Sequence, residues 1–264
     1  TQSYMWVFRG GDPSKPTILF RYHPTRSGAV PREILNNYKG YLQTDAFSGY
    51  EGIDKDIPGI IPVGCFAHVR RNFIKVIDAR KGDAKKKQGG AEVALEYIRK
   101  LYAVERIART RELPPPEIVQ LRKERSKPVL DELWEWMKKK VGQTPPKGTL
   151  GKALNYAVSN WPKLIRYLDN GHITPDNNLA ENAIRPFVVG RKNWLFAGHP
   201  NGAHAAATLY SLIETAKACR LEPYGYLRFI FEKLPYAQTR EDYRALLPQN
   251  LPPEQLAQFL ASLN

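Results

Sequence analysis

An α/β nucleus interrupted by a block of helices is the fold class this sequence predicts. Three observations carry it. Four short runs of strand character lie between Met5 and Ala67, helical periodicity then takes over, and a glutamate-bearing segment follows the helices. Met5 to Arg9 and Thr17 to His23 flank Gly10-Gly11-Asp12-Pro13 and predict a hairpin with a longer loop. Arg26 to Tyr38 fits a short helix entered near Pro31, because proline suits a first helical turn. Tyr41 to Asp45 predicts a third strand, stopped by the loop around Ser48-Gly49, and Ile60 to Ala67 a fourth. A basic helix follows, carrying His68, Arg70, Arg71, Phe73, Ile74 and Ile77.

The composition then changes. Arg80 to Gly90 is rich in Lys and Gly and marks a loop or the boundary of an insertion. Ala91 to Arg111 has helical spacing through Ala94, Ile98, Leu101 and Ala108, and Pro114-Pro115-Pro116 breaks it. Ile118 to Lys140 predicts a second helix, which Pro128 is expected to kink or divide. Leu150 to Leu168 reads as one amphipathic helix, ended by Asn170-Gly171. Phe187 to Val189 and Asn193 to Phe196 flank Gly190-Arg191-Lys192 and read as a tight β-turn pair. Ala203 to Cys219 and Tyr224 to Leu234 predict two more helices, and Leu256, Phe259 and Leu260 a weak last one.

These elements divide the chain into four segments. Residues 1–80 form the first part of the core, 81–170 a helical insertion, 171–200 a glutamate-bearing helix and hairpin completing the core, and 201–264 a C-terminal helical region. The order β-β-α-β-β-α is that of a ribonuclease-H-like sheet after its first strand. Periodicity alone leaves that as one option among several α+β arrangements.

Composition narrows the function. The 264 residues are 42% hydrophobic, enough to bury a proper core, and Lys plus Arg (40) outnumber Asp plus Glu (26). A net charge of +14 favours a polyanionic partner, of which nucleic acid is the commonest. Cys65 and Cys219 are too few and too far apart for a disulfide framework, so a reducing, cytoplasmic setting is expected. No apolar run approaches transmembrane length, and Thr1 to Trp6 lacks the regions of a signal peptide, so no membrane partner is expected.

Two acids stand out chemically. Asp45 ends a strand-like run, where α/β proteins present functional side chains, although a turn-initiating Asp ahead of Ser48-Gly49 has the same position. Glu181 lies in Asp176-Asn177-Asn178-Leu179-Ala180-Glu181, which also matches a helix capping box between Asn178 and Glu181. Capping does not account for Arg185, expected one turn further along the same face, or for Arg191 and Lys192 beyond it. Phosphodiester displacement needs an activated nucleophile and a stabilised leaving oxygen, and two hard divalent cations held by carboxylates serve both. Asp45 and Glu181 are therefore candidate catalytic residues and ligands of Mg²⁺ or Mn²⁺, with Asn178 orienting Glu181 or touching phosphate. Cys65 and His68 have a zinc-like spacing, but no second pair matches them. His68, Arg70 and Arg71 fit a phosphate-facing helix, and the competing reading is a solvated basic face. Trp194 fits core packing first, with stacking on an extruded base as the alternative. The lysine runs at 85–87 and 138–140 read most simply as solvated surface, with non-specific phosphate attraction as the further option.

With these residues in place, the sequence resembles the catalytic part of the bacterial insertion-sequence family 66 of DDE transposases. The matching stretches are Ser3 to Val7, Gly40 to Asp45, Gly64 to Arg71, Asp176 through Glu181, Gly190 to Phe196 and Ser211 to Lys217. They occur in order across residues 3–235. The resemblance implies a ribonuclease-H-like nuclease core with three acids, Asp, Asp and Glu. Asp45 matches the second Asp and Glu181 the Glu, with two Mg²⁺ expected in the complete site. The first Asp is expected on a strand upstream of Ser3, so the sequence is expected to be an incomplete copy. It further implies double-stranded DNA as partner, both element ends and target, a homo-oligomer on DNA, and other element-encoded proteins. The competing reading is a non-catalytic DNA-binding remnant.

Overall fold

The computed structural model describes residues 3–79, 89–194 and 199–263, with Lys192 to Trp194 described by backbone alone. The chain forms two compact units, one of Gly28–Asn178 and one of Thr1–Ser27 with Leu179–Asn264. The predicted hairpin opens the second of these. β1 (Tyr4–Asp12) and β2 (Lys15–His23) run antiparallel, with Val7 opposite Phe20 and Asp12 opposite Lys15. The strands extend through the glycines, so the loop shrinks to Pro13-Ser14, where Asp12 Oδ1 accepts from the Ser14 N–H at 2.7 Å.

Within Gly28–Asn178 the order is α1 (Ala29–Ile34), β3 (Gly40–Gln43), α2 (Ile53–Asp56), β4 (Ile60–Val63), α3 (Phe66–Asp78), α4 (Gly90–Thr110), α5 (Pro115–Gly142), α6 (Thr149–Ser159) and α7 (Trp161–Leu164). A 3-10 turn over Ile165–Asp169 follows. β3 and β4 pair in parallel, Gly40 with Ile60 and Gln43 with Val63. The helices supply the core. Phe66, Val69, Phe73 and Val76 recur at helical spacing on α3 and pack with Ala94, Ile98 and Leu101 of α4. Leu130, Leu133 and Met137 of α5 and Leu154 and Ala157 of α6 close the cluster.

One buried charge ties this unit together. Arg122 of α5 is 1% exposed and uses every guanidinium donor. Nε and Nη2 grip the two Glu105 carboxylate oxygens at 2.8 and 2.6 Å. Nη1 donates to the carbonyls of Tyr167 and Asn170 at 2.7 and 2.9 Å, and Nη2 to that of Ile173 at 2.8 Å. The guanidinium also lies 5.0 Å from the Tyr167 ring centroid. Gly171, in the same loop, has no room for a Cβ because the Pro115 carbonyl occupies that space.

The remaining elements are α8 (Asn178–Ala183), α9 (Arg185–Trp194), α10 (Pro200–Ala218), α11 (Pro223–Lys233), α12 (Arg240–Ala245) and α13 (Pro253–Ala261). Ile18 and Phe20 of β2 pack against Ala183, Phe187, Ala207 and Tyr210, and the Phe187 and Tyr210 rings meet edge to face at 5.2 Å. Ser211, Thr215 and Cys219, four residues apart along or just past α10, line the outer edge of β2. Phe20 N–H donates to Ser211 Oγ at 2.8 Å, and Ile18 N–H to Thr215 Oγ1 at 3.0 Å. Thr215 Oγ1 and Cys219 Sγ donate in turn to the carbonyls of Ile18 and Pro16 at 3.1 and 3.6 Å. A separate core of Tyr226, Phe229, Leu251, Leu256 and Phe259 gathers α11 and α13.

Several sequence expectations change. Phe187 to Val189 lie within α9 and do not form one arm of a β-turn pair. The second arm, Asn193 to Phe196, starts inside the same helix and runs into residues 195–198, outside the described part. The β-branched pair Val188-Val189 before Gly190 suggests a strand. The helix instead lets Phe187 reach the hairpin, beside Ile184 just before its start. The single helix expected over Leu150 to Leu168 is broken at Asn160, because Pro162 has no N–H for a continuous ladder and starts α7 instead. Conversely, α5 runs through Pro128 undivided. Pro128 is exposed, so water can satisfy the carbonyl that loses its partner. The lysine run at 85–87 lies outside the described residues. No helix among the described residues is long and apolar enough to cross a membrane.

Two stability outcomes are expected. Arg122→Ala strands Glu105 and three carbonyls and should cost about 3–5 kcal/mol in urea denaturation, with Arg122→Lys recovering only part. Thr215→Val leaves the Ile18 backbone groups unsatisfied in a buried place and should cost about 1–3 kcal/mol by the same measurement.

Candidate functional site

The parallel register brings the carboxyl ends of β3 and β4 out of the sheet side by side. Thr44 N–H donates to the Val63 carbonyl at 3.1 Å, so Asp45 and Cys65 leave on the same edge. A third segment, Thr174 to Asn177, is bonded to that edge. Gln43 Nε2 donates to the carbonyls of Thr174 and Gly64 at 2.7 and 3.2 Å. Phe66 N–H donates to the Pro175 carbonyl at 2.8 Å, and Asn177 N–H to Cys65 Sγ at 3.3 Å. Open α/β sheets bind ligands at such carboxyl edges because loops there expose side chains while the strands stay rigid.

Asp45 is half-buried and serves the turn as well as the edge. Its Oδ1 accepts from Phe47 N–H at 3.1 Å, and Ala46 turns the chain with a left-handed φ of 59°. A left-handed alanine costs roughly 1–2 kcal/mol, so the surrounding structure holds this turn in place. The Asp45 carbonyl accepts from the Tyr156 hydroxyl at 3.3 Å. Burial, then the nearby Cys65 and Asp45, push the Tyr156 phenol up to about 12, with Arg71 opposing them.

Asp176 anchors the third segment. Its Oδ1 accepts from Asn178 N–H at 3.1 Å and holds the start of α8, and its carboxylate accepts from the Tyr102 hydroxyl of α4. Burial and the Asp176 charge push the Tyr102 phenol well above the ordinary tyrosine range, and Arg70 opposes the shift. Cys65 is buried, and burial pushes its thiol up despite backbone N–H groups from Asn177, His68 and Ala67. It is therefore an inert acceptor at neutral pH rather than a nucleophile.

The predicted site residues thus fall in two groups. Asp45, His68, Arg70, Arg71 and Asn178 belong to the unit of Gly28–Asn178, with His68 half-buried on the first turn of α3 and both arginines exposed. Glu181, half-buried on α8, belongs to the other unit with the exposed Arg185 and Arg191. Arg185 opens α9 rather than extending α8, because α8 ends at Ala183. The side chains of Lys192 and Trp194 lie outside the described part. Sequence reasoning did not single out Asp176, Tyr102, Tyr156 or Gln43. The first sits in the same acidic run as Glu181, and the two tyrosines are polar-tipped residues beside the apolar stripes of α4 and α6.

Comparison with known proteins gives a family. The model described as the transposase IS66 family matches residues 1–205, and that of the IS66 C-terminal element matches residues 211–249. Three uncharacterized proteins of Sinorhizobium fredii (strain NBRC 101917 / NGR234) are similar. The protein y4hP is 29% identical over 233 residues, covering 85% of this chain and 42% of the relative. The protein y4qI is 27% identical over 265 residues, covering 96% and 48%. The protein y4jD is 28% identical over 255 residues, covering 93% and 48%. The chain therefore spans about half the length of the curated relatives it matches. No solved structure matches it.

The Tyr156 environment gives a pH outcome. A phenol whose folded-state value lies above its ordinary 10.0 leaves stability at its full value below pH 10.0, and stability falls as pH rises through about 12. Phenolate absorbance should show a late ionisation step that Tyr156→Phe removes, and a step at the ordinary value would show the hydroxyl to be solvated.

Proposed function

The chain belongs to the IS66 family of transposases, and on that premise we propose that it is the catalytic region of an enzyme that cuts and joins DNA at insertion-sequence ends. The observation that carries the reading is the family match over residues 1–205 together with Asp45 at the carboxyl edge of a parallel strand pair. The hairpin, the parallel pair and the helices between them follow a ribonuclease-H-like order, which supports that core as the finer fold.

Asp45 and Glu181 offer hard oxygen donors, which suit Mg²⁺ or Mn²⁺ better than a soft metal. Two such ions, when bound, would supply an activated oxygen nucleophile and a stabilised leaving oxygen. The resemblance implies a third acid, to which no residue of this chain is assigned. Asp176 is committed to Tyr102 and to the start of α8, so we assign it to holding the segment that leads to Glu181. His68, Arg70, Arg71, Asn178, Arg185 and Arg191 position phosphates in this reading. Double-stranded DNA, copies of the chain and other element-encoded proteins are its partners.

In the complete transposase, Asp45→Asn and Glu181→Gln should each abolish Mg²⁺-dependent cleavage of element-end DNA while leaving DNA affinity nearly unchanged. Equal loss of binding would make both acids structural. Wild-type protein that binds DNA without any metal-dependent nicking would favour a non-catalytic DNA-binding role.

A further inference from the structure

The exposed cations of the long helices are not alike. Arg99 pairs with Glu96 at 2.6 Å, Lys127 with Asp131 at 2.8 Å and Lys138 with Glu135 at 2.7 Å, each within its own helix. Arg106 and Arg109 of α4 have no acid partner among the described residues, and both are exposed. The reason is geometric. The acid four residues before Arg109 is Glu105, whose two oxygens are both taken by Arg122. The neighbours of Arg106 at helical spacing are Tyr102, Ala103, Arg109 and Thr110, none of them acidic. Glu112 lies beyond the helix with a left-handed φ of 50°.

These two arginines share a face with Tyr102, at four and seven residues beyond it. Tyr102 reaches Asp176 at the candidate site and feels Arg70 of α3. From that point Arg106 lies about 6 Å and Arg109 about 10.5 Å further along the helix axis. Phosphates recur every ~3.4 Å of axis along one strand of B-form DNA, and the two cations are about 4.5 Å apart along the helix, so they match two neighbouring phosphates. We infer that Arg106 and Arg109 form a phosphate-binding track on α4, which holds the DNA backbone leading into the Asp45–Asp176 edge. The inference rests on the transposase reading and extends DNA contact onto the helical block.

The test is binding of a short fluorescent duplex to the 264-residue chain, followed by anisotropy across a salt series. Arg106→Gln with Arg109→Gln should weaken binding about tenfold near 0.1 M salt and lower the salt slope by about 2. Arg106→Lys with Arg109→Lys should bind like wild type, as should Lys127→Gln, whose cation Asp131 already neutralises. Unchanged affinity and slope in the Gln pair, with binding by wild type, would overturn this inference alone. A fall in melting temperature without loss of binding would do the same, assigning the arginines to the helix dipole. Equal loss in the Lys127→Gln variant would also overturn it, as general charge. Absence of DNA binding by wild type at low salt would remove the transposase reading with it.

Discussion

The unit of Gly28–Asn178 depends on Arg122 having five donors and a use for each. Glu105 on α4 neutralises the charge, and three carbonyls from the 3-10 turn and loop after α7 complete the shell. A buried guanidinium without those partners would cost several kcal/mol, so Arg122 links the loop, α4 and α5 through one residue. That loop runs on through Thr174 and Pro175 to the edge of β3 and β4. The segment that carries Asp176 is therefore held at Ile173, three residues before it, by a charge buried in the helical block.

The same pair shows where sequence reasoning stops. Helical spacing offers Glu105 to Arg109, four residues on, and an isolated α4 would use that pair. Tertiary burial assigns it to Arg122 instead. Asp45 was legible because a strand end and a turn residue coincide there. The segment joining it at the edge was not, because the bonds from Gln43 to Thr174 and from Phe66 to Pro175 link positions with no shared pattern. Pro128 and Pro162 are the same residue type with opposite outcomes. One sits on the exposed side of a long helix and is tolerated, and the other ends a helix. Local sequence reports the missing N–H and leaves open whether water can replace its bond.

Residues 185–194 illustrate the limit of β propensity. Val188, Val189 and Gly190 suit a strand and turn, yet they lie in a helix that packs Phe187 on Phe20 and Tyr210. The candidate site was accordingly half readable. Its acids and cations lie in recognisable runs, while the tyrosines that fix the edge come from helices whose apolar spacing drew attention to their buried neighbours.

The hydroxyl and thiol ladder of α10 has a last consequence. Strands join sheets through the N–H and C=O groups their edges leave open, and Ser211, Thr215 and Cys219 have already occupied those of β2. The hairpin can therefore grow in only one direction. Any strand that extends it, from the same protein or another, has to add alongside β1, and the sheet is protected on its other flank from association with foreign strands.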